Sequence, residues 1–428
     1  MDTLPYERVL LPNGVRLMLI PMSGVNSIAT SVMVSCGSRY ETREINGISH
    51  FLEHMVFKGT QTYPTTDDVN VIERQGGLQN AYTDIDITNY HNKVLSTDWE
   101  LALEINKELA LKPLLEQKHV DKERDVILEE MKRYEDEPAA KAEEAFHSML
   151  YPGTSLGMRT IGEEDSLRAT DAVSLRTYHD AWYRPDRIVV VVSGKIGKRE
   201  AERVKLKTEE WFGTLQGKSS GGFTVVSDHQ EKPTLAVVTK PDAQQAHMIL
   251  GVRTFARKSE ERFAWSVFNL LMGVSFTSRL FREIREKRGL CYHIRSSSNS
   301  WADVGYWSIY AGVATEKVEE AAKAILAEVA QARDSGITEE ELGVAKKRLK
   351  TIIAFKSEDP EFLNEYYGRQ ELFGETPLTL DQYLSRIDLV TKKEIDVLLS
   401  KYFMTKTLNM ALVWKKGREE RLEGLLQL

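Results

Sequence analysis

Residues 213–222 break the chain with a run short of apolar side chains, ending in Gly217-Lys218-Ser219-Ser220-Gly221-Gly222. On either side of that break the hydrophobic pattern follows the same order of elements. A flexible-looking break between two such halves demands two related domains rather than one continuous core. The first half opens on a hairpin, with apolar runs at 9–11 and 15–20 around Pro12-Asn13-Gly14, since Asn-Gly favours a tight two-residue turn. A strand at 27–35 follows, then helical periodicity at 47–57, 67–74, 98–111 and 116–135, with a strand pair at 78–83 and 86–94. A helix at 172–182, a buried strand at 187–193 and a helix at 198–211 complete the half. The second half has strands at 234–239 and 247–254, helices at 260–271 and 278–287, and a strand pair at 291–299 and 304–313. Helices at 317–333, 339–355, 360–373 and 392–401 then lead to a closing strand at 408–413. Strands and helices are mixed without regular βαβ alternation. The expected fold class is therefore α+β: two structurally related domains, each a mostly antiparallel sheet packed with helices. The expected boundaries are 1–215 for the first domain, 216–230 for a linker and 231–428 for the second.

The remaining sequence properties narrow the function classes. A chain of 428 residues exceeds what one core usually holds, which agrees with two domains. Lys and Arg number 57 against 64 Asp and Glu, a net charge of -7, so nothing in the balance suits binding along a phosphate backbone. The longest aliphatic run, Ile188-Val189-Val190-Val191-Val192, is far shorter than the ~20 residues of a membrane helix. Residues 1–20 carry no basic cluster ahead of an apolar stretch, so no secretory signal is expected there. Cys36 and Cys291 are too few for a disulfide framework, and both fall in strand patterns as buried thiols. A soluble, cytoplasmic protein is expected, with neither nucleic acid nor membrane as partner.

The residues that carry chemistry begin with His50-Phe51-Leu52-Glu53-His54. Residues four apart on a helix stand one above the other, so both imidazoles face one point. Two neutral histidines at about 2.0–2.1 Å supply half of a tetrahedral zinc site. Glu53 lies close to the same face, within reach of a water on such a metal. With 9 histidines in the chain, chance yields this pattern only about 0.02 times, so a mere polar helix face is a poor explanation. The motif is the inverted form of the His-Glu-x-x-His zinc helix. A third ligand is needed, and the helix at 116–135 offers carboxylates. Glu130 shares a partly apolar stripe with Ile127, Met131 and Tyr134, whereas its rival Glu129 sits beside Lys132 and Arg133. Glu123, two turns before Glu130, is placed to orient a ligand.

These residues resemble the pitrilysin-type inverzincins, a family that includes insulin-degrading enzyme and the mitochondrial processing peptidase. The flanks Gly47-Ile48-Ser49, Phe57-Lys58-Gly59-Thr60 and Glu123-Arg124-Asp125-Val126-Ile127 match as well. The family's third ligand stands some 76 residues after the second histidine, which selects Glu130 over Glu129. A further acid seven residues earlier is typical and falls on Glu123. The resemblance extends to Gly76-Gly77-Leu78-Gln79-Asn80-Ala81-Tyr82-Thr83, an edge that pairs with substrate backbone in the family. It implies that Asn80 and Ala81 contact the peptide, which amounts to adding a strand to a free edge. It also implies substrate-binding roles for Arg285 and Tyr292, seven apart as in the family's Arg/Tyr segment. A donor there could stabilise the developing oxyanion. The turn Asp84-Ile85-Asp86-Ile87 reads as solvated, with admission of basic peptides as its alternative use.

The resemblance thus implies one Zn2+ per chain held by His50, His54 and Glu130, with Glu53 as the catalytic base. The implied activity is that of a zinc endopeptidase hydrolysing unfolded peptides or presequences. Family members enclose substrate between four related domains, so a homodimer, or a heterodimer with a related subunit, is expected. A reading from another class is a proteolytically silent peptide-binding or scaffold subunit of a larger complex. The intact His50, Glu53, His54 and Glu130 set argues against it.

Overall fold

A computed structural model of the chain describes residues 5–219, 221–226, 230–417 and 420–428. Two compact units are present, and each is α+β. The first sheet has the strand order β1-β2-β6-β3-β5-β4, built from β1 (Glu7–Leu10), β2 (Arg16–Pro21), β3 (Ser27–Val34), β4 (Leu78–Thr83), β5 (Thr88–Leu95) and β6 (Ile188–Gly194). The second has the order β7-β11-β8-β10-β9, built from β7 (Thr234–Thr239), β8 (Ala246–Thr254), β9 (Cys291–Ser300), β10 (Gly305–Val313) and β11 (Asn409–Trp414). After the extra edge strand β1, the two sheets match strand for strand. Each has a single parallel pair, β2 with β6 and β7 with β11, and is otherwise antiparallel. The duplication expected from the order of elements is therefore present as a shared topology.

The compact units do not coincide with the two halves of the sequence. Unit one takes the chain up to Met131, then Met158–Phe223 and Ile353–Thr379; unit two takes Lys132–Gly157, Thr224–Ile352 and Leu380–Leu428. The physical reason lies in β6 and β11, whose residues are buried at every position. A strand buried on both faces needs helices on both faces of its sheet. In unit one the second cover is the helix Pro360–Leu372, which packs on β3 and β6. Gly368 makes the approach possible, because a Cβ there would lie 2.7 Å from Met33 Sδ and Val191 Cγ2. In unit two the equivalent cover is the helix Pro138–Leu150, which packs on β7, β8 and β11, with Phe146 against Gly251. Each half of the sequence thus lends one helix to the other unit. The helix Pro138–Leu150 was not among the expected elements.

The expected linker at 216–230 contains the crossover between units, at Phe223 and Thr224. Residues 220 and 227–229 lie outside the described residues. Its first part is pinned to unit one. Arg187 donates to Gly221 O (2.6 Å), the Ser219 amide donates to Asp186 Oδ1 (3.1 Å), and Phe223 stacks under the Arg39 guanidinium (3.9 Å). The turn after β4 is not fully solvated, since Asp86 is buried and Asp84 stands 3.8 Å from Arg369. No helix of the described residues is long and apolar enough to cross a membrane. Cys36 and Cys291 are buried free thiols, pushed up by burial to about 12 and about 11.

Candidate metal centre

The helix Ile48–Val56 buries Ile48, Phe51, Leu52, Met55 and Val56 in the core of unit one and leaves His50, Glu53 and His54 half-buried on the other face. Its start is tightly specified. Gly47 has φ +93°, and a Cβ there would meet Ile161 O at 2.6 Å, so only glycine fits without rearrangement. Glu41, wholly buried, replaces the missing side-chain cap. Its Oε2 accepts from the Gly47 amide (2.7 Å) and from Asn46 Nδ2 (2.9 Å), and its Oε1 accepts from the Ser49 amide (2.9 Å). A carboxylate at a helix N-terminus satisfies orphan amides and meets the positive end of the helix dipole.

The helix Gln117–Asp136 turns Val120, Glu123, Ile127, Leu128 and Met131 inward. Glu130 is half-buried and Glu129 is exposed, so the carboxylate facing the histidines is Glu130. His50, His54 and Glu130 are the one group of three or more potential ligands that converges among the described residues, with donor atoms within 4.8 Å of one another. Glu130 Oε2 lies 3.4 Å from His54 Nε2 and 3.9 Å from His50 Nε2. Two donors bound to one tetrahedral zinc stand about 3.3–3.4 Å apart, given metal–ligand distances of about 2.0–2.1 Å. The donor set suits zinc, the His54–Glu130 edge has the spacing of two zinc donors, and the His50–Glu130 edge is slightly open.

Outer contacts aim these donors. His54 Nδ1 donates to Glu123 Oε1 at 3.0 Å, which leaves Nε2 for the metal side, and Lys58 Nζ donates to Glu123 Oε2 at 2.7 Å. His50 Nδ1 is buried with no hydrogen-bond partner among the described residues. The electrostatics split the two histidines. Burial, helped by the neighbouring His54, pushes His50 down to about 4. Burial also acts downward on His54, but its hydrogen bonds to Glu123 and Glu130 outweigh that and raise it to about 9. Burial acts upward on Glu123, yet hydrogen bonds from His54 and Lys58 hold it below the usual carboxylate value. Glu53 is pushed up, chiefly by burial, against hydrogen bonds offered by Thr83 of β4.

Thr83 also marks where the strand meets the motif helix, which packs on β4. Among the described residues no strand pairs with the outer side of β4. Asn80 is exposed there and Ala81 is buried, and the Ala81 amide donates to Asn80 Oδ1 (2.9 Å). Arg285 and Tyr292 belong to unit two. Arg285 is exposed on the π-helical segment Phe281–Lys287, with its guanidinium 4.6 Å above the Phe281 ring. Tyr292 is exposed on β9, an edge strand of the second sheet. Two neighbours of the centre had no assigned role in the sequence reading, Glu41 and Lys58. Lys58 was within reach of that reading, because it lies one helical turn beyond His54. Glu41 carries no spacing signal.

Two histidines and a glutamate thus converge beside a second glutamate and next to the edge strand β4, a donor set able to hold a metal ion. Residues 18–164 match the family model described as "Insulinase (Peptidase family M16)", and residues 171–349 match "Peptidase M16 inactive domain". An uncharacterized zinc protease of Bacillus subtilis, YmxG, is 33% identical over 96% of this chain and 98% of its own length. The chain belongs to peptidase family M16. Among solved structures, a protease from Helicobacter pylori has the same fold, with a TM-score of 0.88, 22% identity, and coverage of 96% of this chain and 99% of that one. The periplasmic protease PqqL of Escherichia coli matches with a TM-score of 0.80 and 21% identity, over all of this chain and 49% of PqqL.

Proposed function

We propose that this chain is a zinc endopeptidase that hydrolyses unfolded peptides or presequences, one Zn2+ per chain, inside a chamber made with a second chain. The observation that carries the reading is the convergence of His50 Nε2, His54 Nε2 and Glu130 Oε2 on the face that also presents Glu53. Zinc held there would polarise the scissile carbonyl and bring a bound water's pKa near ~7. Glu53, whose proton affinity burial has raised, takes the proton from the attacking water and delivers it to the leaving amine nitrogen. Glu123 keeps the His54 ring turned with Nε2 towards the metal. The substrate lies as a strand along β4, where the Ala81 amide can exchange its contact with Asn80 Oδ1 for a peptide carbonyl. The second half, matched in part by the inactive-domain model, supplies Arg285 and Tyr292 to hold the substrate. The two buried, unpaired thiols suit a reducing cytoplasm.

The match to about half of PqqL supports a chamber of two chains, either a homodimer or a heterodimer with a related subunit. In that arrangement Arg285 and Tyr292 act on the partner's metal centre. Mixing Glu53→Gln chains with Arg285→Ala chains tests this. Statistical mixing in a two-fold dimer should restore roughly a quarter of wild-type activity, because one of the two sites in each mixed dimer is complete. No recovery means that Arg285 serves its own chain, or that two chains do not share the chamber.

A further inference from the structure

We propose that Lys58 is a positioning residue of the metal centre: its ammonium holds the Glu123 carboxylate, and Glu123 in turn fixes the His54 ring. The inference rests on the zinc reading above. Lys58 Nζ and His54 Nδ1 divide the two oxygens of one carboxylate between them, at 2.7 Å and 3.0 Å. The Glu123 side chain is only 8% exposed. A carboxylate so buried is held in one orientation when each oxygen has a charged or polar partner, and an unmatched oxygen leaves it free to rotate.

Lys58 is itself held in place. Its amide donates to Met55 O at 3.0 Å as the motif helix ends, and the next residue, Gly59, has φ +145°. A Cβ on Gly59 would come within 2.5 Å of Pro64 O, so the chain reverses at that point and leaves Lys58 on the His54 side, four residues on. The result is a series of three contacts: Lys58 to Glu123, Glu123 to His54, and His54 towards Glu130 at 3.4 Å. His50 has no such support at its Nδ1 among the described residues. The orientation of the ligand pair therefore depends on the His54 side, and Lys58 is the outermost residue that sets it. A rival role is simple charge offset near a dication, and it has the opposite sign: removing a nearby positive charge would tighten zinc.

The test is the zinc affinity of the metal-free full-length chain, measured by competition with a chromophoric chelator. Lys58→Met should weaken zinc about 10-fold, within the range found when an outer partner of a metal-bound histidine is removed. Lys58→Arg should recover most of that loss. In a Glu123→Gln background Lys58→Met should add less than about 2-fold, because the lysine acts only through that carboxylate. Lys58→Gln, which keeps a donor on a similar stem, is measured alongside in case the methionine variant does not fold, and it should fall between wild type and methionine. Wild-type or tighter zinc binding in both Lys58→Met and Lys58→Gln overturns the inference, as does a full loss that persists without the Glu123 carboxylate. If the wild-type chain takes no zinc, or His54→Ala takes it as tightly as wild type, the zinc reading itself fails.

Discussion

Glu53→Gln is expected to leave the fold and zinc uptake of the chain intact while lowering kcat on an unstructured peptide by about 10²–10⁴-fold. Glutamine keeps the shape of the side chain and can still meet Thr83, so the helix Ile48–Val56 loses no packing. What it loses is the ability to accept a proton and pass it on. Burial raises the proton affinity of Glu53, which favours proton capture. Zinc content and kcat, measured on one preparation, separate this effect from damage to the metal centre. A kcat within about 10-fold of wild type, with zinc retained, would remove Glu53 from the role of base.

His54→Ala should have the complementary effect: zinc and activity disappear together. Losing a direct donor should cost more than the ~10–100-fold that follows loss of an outer partner, so the variant should lose zinc on dialysis that the wild type survives. The same variant exposes a pH signature of the metal-free protein. His54 rises from an ordinary value of 6.5 to about 9 in the folded chain, through its hydrogen bonds to Glu123 and Glu130. A group whose proton is held more tightly in the folded state contributes stability that is complete below its unfolded value and lost as pH rises through the folded one. The metal-free wild type should therefore lose stability relative to His54→Ala between about pH 6.5 and 9, as read from chemical denaturation of the two side by side. Zinc uptake in that window should also release a proton from His54. A constant difference between the two proteins across the window would mean that His54 is not protonated in the metal-free centre.

Much of the fold can be read from local patterning, and the limits have a physical origin. The strand pair β4/β5, the apolar strand β6 and the motif helix follow from period-two, continuous and period-3.6 hydrophobicity. So does the repeated element order, now seen as one sheet topology present twice. The exchange of helices does not follow from such patterns. The apolar stripe of Pro138–Leu150 states that the helix is covered, not which sheet covers it. That choice depends on Phe146 meeting Gly251, and for the reciprocal helix on Gly368 meeting Met33 and Val191. These are contacts between residues far apart in sequence. At the metal centre, His50 and His54 are legible because i,i+4 spacing is a local rule. Glu130 was separated from Glu129 by its apolar neighbours and by family spacing, and the two differ in burial as that choice requires. Glu41 was not legible, because a loop residue that caps a helix six residues on depends on the path of the backbone between them.

In the proposed function, His50, His54 and Glu130 hold a zinc ion that this chain uses to cleave peptides. The most direct measurement is cleavage of an unstructured peptide by the purified chain before chelation, after zinc has been stripped, and after zinc is returned, with metal content determined at each stage. About one zinc per chain is expected, matching the one three-donor centre among the described residues, together with cleavage that stops on stripping and returns with zinc. Cleavage that persists in the stripped chain, or a zinc-loaded chain that cleaves no unfolded peptide either alone or with a related subunit, would contradict it.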